Sequence, residues 1–159
     1  MRIHPKVSIG HVHLTVPDLE RSLAFYRDLL GFEVTAHYGF SAVFLSAGGY
    51  HHHIALNTWA GRGATPPPPG HTGLYHFAIL FPNRKELANV VKRLLEASYP
   101  LTGSADHGVS EAIYLNDPDG NGVELYADRP KESWARNEKG EIEMVTEALD
   151  LDGLLGELK

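Results

Sequence analysis

The 159-residue sequence contains no cysteine, and it has no apolar run long enough to span a membrane. The absence of cysteine excludes disulfides, thiolate metal ligands and cysteine nucleophiles. Any bound metal would therefore be held by imidazole and carboxylate groups. The first ten residues also lack the apolar stretch of a signal peptide, so we expect a cytoplasmic protein with no membrane contact.

Basic residues are in the minority. The chain has 14 Lys and Arg against 20 Asp and Glu, which gives a formal net charge of −6. Because a phosphate backbone would be repelled overall, we do not expect nucleic acid as a partner. The hydrophobic content of 43% is ordinary for a globular protein. The length suits one domain or two small halves that share a core.

The first half of the chain predicts one β-α-β-β-β unit. Alternation over Val7–Val16 predicts a strand, with His11 and His13 on the same face. Apolar residues at helical spacing then predict a helix that begins near Asp18 and ends at Gly31. Three strands follow, at Phe32–His37, Ser41–Leu45 and His51–Thr58.

The pattern starts again after a proline-rich linker at Gly61–Gly73. HVHLTVPD at His11 aligns without a gap on HFAILFPN at His76, an offset of 65 positions (76 − 11). Asn83 and Glu86 have the spacing of a helix capping box. The second unit is completed by strands at Tyr99–Leu101, Glu111–Leu115 and Gly122–Ala127. The sequence therefore predicts two similar supersecondary units.

The tail from residue 129 onward is charged and weakly periodic. We predict a short hairpin around Lys139–Gly140 and a short amphipathic helix in LDLDGLLGELK. That helix would lie over the second half or contact a neighbouring subunit. The motif DPDG at Asp117 is a common turn and indicates no chemistry by itself.

The repeat allows a comparison within one chain. His11 and His76 occupy equivalent positions on the opening strands of the two halves. The closing strands also correspond, IAL at Ile54–Leu56 to VEL at Val123–Leu125, so that Ala55 matches Glu124. A carboxylate in an apolar strand such as VEL is costly unless a partner compensates its charge. If the halves pack about a pseudo-twofold axis, two histidines and one carboxylate converge. That is the facial triad of non-haem Fe(II) oxygenases.

The alanine at the fourth equivalent position favours oxygen chemistry. Three protein ligands leave about three coordination positions open on an octahedral ion. These accommodate a chelating diol and dioxygen, whereas a fourth carboxylate in place of Ala55 would suit metal-assisted isomerisation better. His13 shares the face of His11 and is a rival ligand or a pocket wall.

HVHLTVPDLERSLAFYRDLLGFEV, HFAIL and DPDGNGVELY together resemble the vicinal oxygen chelate superfamily, which includes glyoxalase I, bleomycin-resistance proteins and extradiol dioxygenases. The chain resembles most the type I extradiol, catechol 2,3-dioxygenase-like branch. This implies an α+β fold of two tandem βαβββ modules that form an incomplete barrel around a metal. We expect a single domain over 1–159, with modules at 7–60 and 74–128, a linker at 61–73 and a tail at 129–159.

The resemblance also implies roles for particular residues. The family's metal ligands fall on His11, His76 and Glu124, and its catalytic tyrosine falls on Tyr114. A family histidine near the metal falls on His52, which would act as general base and then general acid. Strand alternation instead places His51 and His53 on the face of Ala55, so His52 requires a bulge or twist. A further family histidine lies near His107, although not at the usual spacing.

The expected function is extradiol cleavage of a catechol-type aromatic with O₂, dependent on Fe(II), with Mn(II) as an alternative metal. Two other functions are compatible with the resemblance. One is a glyoxalase-like isomerase or lyase that uses Ni²⁺, Zn²⁺ or Mn²⁺, and the other is a metal-free module that binds an antibiotic. We expect a homodimer.

Overall fold

The computed structural model describes residues 2–159 and divides into two units, Met1–Pro67 and Pro68–Lys159. The division falls inside the proline-rich stretch that the sequence predicts as a linker. No helix in the described part of the chain is long and apolar enough to cross a membrane.

The first unit is an open four-stranded sheet in the order β1-β4-β3-β2. Its first and last strands are parallel neighbours, and the other pairs are antiparallel. The strands are β1 (Val12–Thr15), β2 (Glu33–Tyr38), β3 (Ala42–Ser46) and β4 (Ile54–Asn57).

The helical segment of this unit changes character along its length. Helix α1 (Leu19–Leu23) is capped by the Asp18 carboxylate and continues as a π-helical segment, Ala24–Leu29. The Leu30 N–H donates to the Phe25 carbonyl at 2.9 Å, which is the i→i+5 bond of a π-turn. The wider turn lets the adjacent Phe25 and Tyr26 both be buried.

The second unit repeats the first, with strand order β5-β8-β7-β6 and a parallel pair of first and last strands. The predicted α+β fold of two tandem βαβββ modules is confirmed. Asn83 caps α2 by accepting from the Glu86 N–H, as the capping box predicts. The elements are β5 (Phe77–Phe81), α2 (Arg84–Glu96), β6 (Leu101–Asp106), β7 (Ser110–Asn116) and β8 (Gly122–Asp128).

The bounds of three predicted strands differ from those in the structure by more than one residue. The opening strand was predicted over Val7–Val16 but covers only Val12–Thr15, because its pairing with β4 begins at Val12 and residues 7–11 are exposed without a strand partner in the described part of the chain. The strand predicted at His51–Thr58 covers only Ile54–Asn57, since the triplet His51–His53 forms a bend before it. The prediction of a strand at Tyr99–Leu101 was wrong, since β6 begins where that prediction ends. The polar residues Thr102–Ser104 of β6 are typical of a turn, but the backbone of β6 pairs with β7 at an exposed edge of the sheet.

One face of each sheet packs against its helix, and the other face carries the polar candidates. On β8, the side chains of Val123, Leu125 and Ala127 are buried, whereas Glu124 lies on the other face. On β1, Leu14 is buried and His13 is exposed. Strand alternation therefore separates core from candidate site, as the sequence predicts.

The tail folds onto the second unit. Helix α3 (Leu151–Gly156) contacts α2, which was one of the two predicted placements. The predicted hairpin is also present. The Gly140 N–H donates to the Asn137 carbonyl at 2.9 Å, and the backbones of Arg136 and Ile142 form an antiparallel β-bridge.

A network of charged side chains connects the tail to the sheet. Glu111 is only 4% exposed, and its carboxylate accepts hydrogen bonds from Arg84 Nε at 2.5 Å and from Arg129 Nη2 at 3.3 Å. Arg84 also donates to Glu157 just beyond α3 at 2.7 Å. Arg129 in turn pairs with Asp106 at the end of β6. Each buried carboxylate oxygen thus has a cationic donor, which offsets its desolvation.

We predict that Arg84→Ala lowers the free energy of unfolding by about 2 kcal/mol, because a buried carboxylate and α3 both lose a cationic partner. Urea denaturation measures this difference. Lys92→Ala is the control, since Lys92 forms an exposed pair with Glu96 at 3.7 Å. Its loss should change stability by less than about 0.5 kcal/mol. Equal effects of the two variants would contradict a stabilising network.

A second prediction concerns acid stability. The hydrogen bond from Arg129 lowers the pKa of Asp106 below its ordinary value of 3.8. A carboxyl with a lowered native pKa contributes stability that is present above the unfolded pKa and lost as the pH falls through the native one. Asp106→Asn should therefore cost about 1–2 kcal/mol at pH 7 and progressively less below pH 4. Urea midpoints measured from pH 7 to pH 3 test this; a cost independent of pH would refute it.

Candidate functional site

Glu124, His76 and Tyr114 lie together on the open face of the second unit. Glu124 Oε2 is 2.9 Å from His76 Nε2, and the Tyr114 hydroxyl lies 3.4 Å from Glu124 Oε1. The Glu124 side chain is only 12% exposed. Among residues 2–159 no lysine or arginine forms an ion pair with it, so the imidazole of His76 and the phenol of Tyr114 are its polar neighbours.

The parallel pairing of β5 with β8 produces this arrangement. Ala78 lies directly opposite Glu124 in the register. His76 is two residues before Ala78, so its side chain lies on the same face. Tyr114 is the antiparallel partner of Glu124 on the other side. Glu124 on β8, Tyr114 on β7 and His76 just before β5 thus lie on the same face of the sheet.

Gly122 allows the start of β5 to approach β8. A Cβ at this position would collide with the Tyr75 carbonyl oxygen and would lie 3.0 Å from His76 Cβ. A glycine inside a strand often marks such a close backbone approach. Gly122 therefore contributes to the short distance between His76 and Glu124.

Tyr114 remains a neutral phenol over the physiological pH range. Burial raises its pKa to about 12, and the nearby Glu124 carboxylate acts in the same direction. Its hydroxyl can donate one hydrogen bond and accept others. Tyr114 is thus a hydrogen-bonding group rather than an anionic base.

His107 reaches Tyr114 in spite of its irregular spacing. It lies in the three-residue loop between β6 and β7, where Gly108 adopts a φ of +75°. This loop closes with His107 N–H donating to the Ser110 carbonyl at 2.8 Å. The His107 Nε2 atom is 2.7 Å from the Tyr114 hydroxyl oxygen. A glycine in the left-handed region is the usual requirement of a hairpin loop of this length.

In the first unit, His11 and His52 lie side by side. Their ring centroids are 4.4 Å apart, and the His52 ring also contacts Phe44. Burial lowers the pKa of His52, and the neighbouring histidines His11, His51, His13 and His53 lower it further. The neutral, proton-accepting form of His52 is therefore favoured.

The bend before β4 resolves the conflict between alternation and spacing. Because His51–His53 lie outside the regular strand, His52 is free to turn toward His11. His53 instead points to the β3 end, with Nδ1 3.1 Å from Ser46 Oγ. His51 Nδ1 lies 2.7 Å from His52 Nδ1 and is exposed. Of the three histidines, His52 is the one placed beside the predicted ligand.

His13 has a different environment from His11. Its Nε2 lies 3.0 Å from Asn57 Nδ2, and its ring contacts Trp59. His13 also pairs in register with Ala55, which is fully buried. The Asn57 amide therefore already occupies Nε2 of His13, and the two roles predicted for this residue, rival ligand or pocket wall, stay predictions from the sequence.

The second unit supplies donors of the type that Fe(II) binds. His76 and Glu124 provide one imidazole nitrogen and one carboxylate oxygen 2.9 Å apart. The third predicted ligand, His11, belongs to the first unit. Within residues 2–159, no group of three or more His, Asp or Glu side chains is gathered closely enough to hold a metal. The donor chemistry of the pair nevertheless fits the predicted ion.

An open cleft of about 450 Å³ adjoins the pair in the second unit. Its lining includes His76 and Tyr114, and it is of a size that binds small organic molecules. Tyr75 also lines it, although the sequence did not single this residue out: the repeat aligns it with Gly10, so it has no counterpart. The only signal was its position next to His76. The other lining residues include Thr102, Asn116 and Val123.

The family model of the Glyoxalase/Bleomycin resistance protein/Dioxygenase superfamily matches residues 8–125. A catechol-2,3-dioxygenase of Bacillus subtilis is 46% identical over 155 residues, which is 98% of this chain. The chain spans about half of that relative's length, 53%. A biphenyl-2,3-diol 1,2-dioxygenase of Rhodococcus globerulus is 32% identical and is matched over 84% of this chain and 70% of its own length.

Solved structures show the same fold. A glyoxalase/dioxygenase from Nostoc punctiforme superposes with a TM-score of 0.67 at 18% identity, covering 82% of this chain and 98% of that one. A lactoylglutathione lyase from Agrobacterium tumefaciens has a TM-score of 0.59 at 26% identity, with 78% and 96% of the chains covered. From the family model, the relatives and the topology together, this chain belongs to the glyoxalase/bleomycin resistance/dioxygenase superfamily.

Proposed function

We propose that this chain is an Fe(II)-dependent extradiol dioxygenase that cleaves a catechol-type aromatic with O₂. The observation that carries the proposal is the His76–Glu124 pair at 2.9 Å, with the Tyr114 hydroxyl beside it and a cleft next to it. The names of the Bacillus and Rhodococcus relatives, both diol dioxygenases, support the reaction class.

His11, His76 and Glu124 would hold the metal, with Mn(II) as an alternative ion. When bound, Fe(II) supplies the chelation and redox chemistry that protein side chains lack. Ala55 offers no fourth donor, so that about three coordination positions would be open to substrate oxygens and O₂ when the metal is bound. This feature favours the dioxygenase over a glyoxalase-like isomerase.

The remaining side chains manage protons. His52, whose pKa is lowered by burial, accepts a proton from one diol hydroxyl and later returns it. Tyr114 hydrogen-bonds a substrate oxygen through its neutral hydroxyl, and His107 holds that hydroxyl at 2.7 Å. Tyr75 lines the cleft and offers an aromatic face to the substrate ring. A homodimer and a cytoplasmic location remain predictions from the sequence.

The first test reconstitutes the chain anaerobically with Fe(II) and then adds catechol and substituted catechols in air. Oxygen uptake and the yellow ring-opened product should rise together. His11→Ala and Glu124→Ala should each abolish both signals by removing a ligand, whereas His13→Ala should retain most of the activity. Binding of one iron without turnover would reject the catechol substrate, and failure to bind iron would favour the metal-free binding module.

A second prediction uses Gly122. Gly122→Ala should weaken metal binding by about 10-fold, because its Cβ displaces the backbone of Tyr75 and His76. Gly73→Ala is the matched control, since nothing lies within 4 Å of a Cβ there. Calorimetric titration with Mn(II) under argon measures both. Equal affinities of the two variants would contradict the role of Gly122.

The proton-handling roles predict a particular kinetic pattern. Tyr114→Phe and His52→Gln should each lower kcat by about 10²-fold or more while the iron content stays unchanged. The first variant removes a hydrogen bond to the substrate and the second removes proton transfer, but neither removes a metal ligand. Steady-state kinetics with iron quantified in the same samples measure this. Loss of iron in either variant would show a structural role instead.

A further inference from the structure

Both ring nitrogens of His107 have a partner. Nδ1 lies 2.7 Å from the Val145 carbonyl oxygen in the tail, and Nε2 lies 2.7 Å from the Tyr114 hydroxyl oxygen. A carbonyl oxygen only accepts hydrogen bonds, so Nδ1 carries the proton and donates it. In the neutral ring Nε2 is then an acceptor.

This assignment decides where the Tyr114 proton goes. The hydroxyl has one proton and two acceptors within reach: His107 Nε2 at 2.7 Å and Glu124 Oε1 at 3.4 Å. The shorter contact with a bare lone pair takes the proton. The Glu124 carboxylate then keeps its lone pairs, and the Tyr114 oxygen, on a residue that lines the cleft, keeps lone pairs that can accept a hydrogen bond.

The tail is paired with the loop that carries His107. Val145 N–H donates to the His107 carbonyl at 3.2 Å. Asp106 and Glu147 exchange two backbone hydrogen bonds of 3.0 and 2.9 Å, as an antiparallel bridge does. Gly108 makes room for this contact, because a Cβ there would be 3.2 Å from Val145 Cγ2. The Val145 carbonyl is therefore held at a defined place relative to the ring.

Arg129 anchors the same loop from the other side. Its Nε donates to Asp106 Oδ1 at 3.1 Å, and its Nη2 contacts both Asp106 Oδ2 and Glu111 Oε1. Asp106 Oδ1 also accepts the Gly108 N–H at 2.9 Å. Because Glu111 is buried, the whole assembly has one fixed point in the core.

We propose that Arg129, Asp106 and the Val145 carbonyl form a positioning element that holds His107 as the Nδ1–H tautomer, with Nε2 accepting from Tyr114. This inference rests on the proposed function for its kinetic consequence. The substrate is the same diol as in the proposed function. One of its hydroxyl groups donates a hydrogen bond to the lone pairs left on the Tyr114 oxygen. The tail thereby contributes to the site without touching the substrate.

Long-range ¹H–¹⁵N spectra of the metal-free chain, labelled at histidine, measure the tautomer directly. The signals of His107 are assigned by their disappearance in His107→Gln. The wild-type chain should show the Nδ1–H tautomer. Arg129→Gln should shift His107 toward a mixture of tautomers, and it should lower kcat of the iron-loaded enzyme by about 10-fold with little change in KM.

Arg136→Gln is the matched control. Arg136 is a tail arginine that donates to the Gly140 carbonyl at 2.7 Å and takes no part in the positioning element. It should leave both the tautomer and kcat unchanged. Asp106→Asn is the second variant, because its amide oxygen still accepts from Gly108 while the ion pair is lost. It decides the question if Arg129→Gln fails to fold.

The two readouts separate this inference from the proposed function. An Nε2–H tautomer in the wild-type chain, or a tautomer that neither Arg129→Gln nor Asp106→Asn changes, would overturn the positioning element regardless of activity. A tautomer that changes in Arg129→Gln or in Asp106→Asn supports it even if no catechol is turned over, and that absence of turnover would reject the proposed substrate class alone.

Discussion

The parallel pairing of the first and last strand in each unit is the constraint on which the candidate site depends. In both units the intervening helix and two strands return the chain so that the closing strand lies beside the opening one. A histidine just before an opening strand is therefore brought next to the closing strand. In the second unit that geometry places His76 against Glu124, and in the first it places His11 near His52.

The two faces of the second sheet carry out different tasks. The helix-facing side holds Glu111 with Arg84 and Arg129, where buried charges are compensated by ion pairs. The open side holds Glu124, whose carboxylate contacts the imidazole of His76 and the hydroxyl of Tyr114. A largely buried carboxylate that is paired with no lysine or arginine in the described part of the chain is suited to a cation from outside, which is the electrostatic argument for a metal at this position.

His107 connects these two environments. Its loop is fixed by Asp106 and Arg129, and Arg129 also pairs with the buried Glu111. Its ring contacts Tyr114 on the open face. The tail, which reads in the sequence as a weakly periodic extension, supplies the carbonyl that meets the other ring nitrogen. Stability of the second unit and geometry of its candidate site are consequently carried by overlapping groups.

The sequence by itself determined the repeat, the helix caps and the inward and outward faces of the strands, because these follow from local periodicity and from side chains that bond to nearby backbone. It also singled out His76, Glu124 and Tyr114 as residues of one site, through their positions in the repeat and the family resemblance. Only the tertiary structure decided the bend that turns His52 toward His11, the exposed strand β6, the contact of His107 with Tyr114 and the role of Gly122. These depend on distances between segments far apart in the chain, and strand alternation or residue spacing carries no information about such distances.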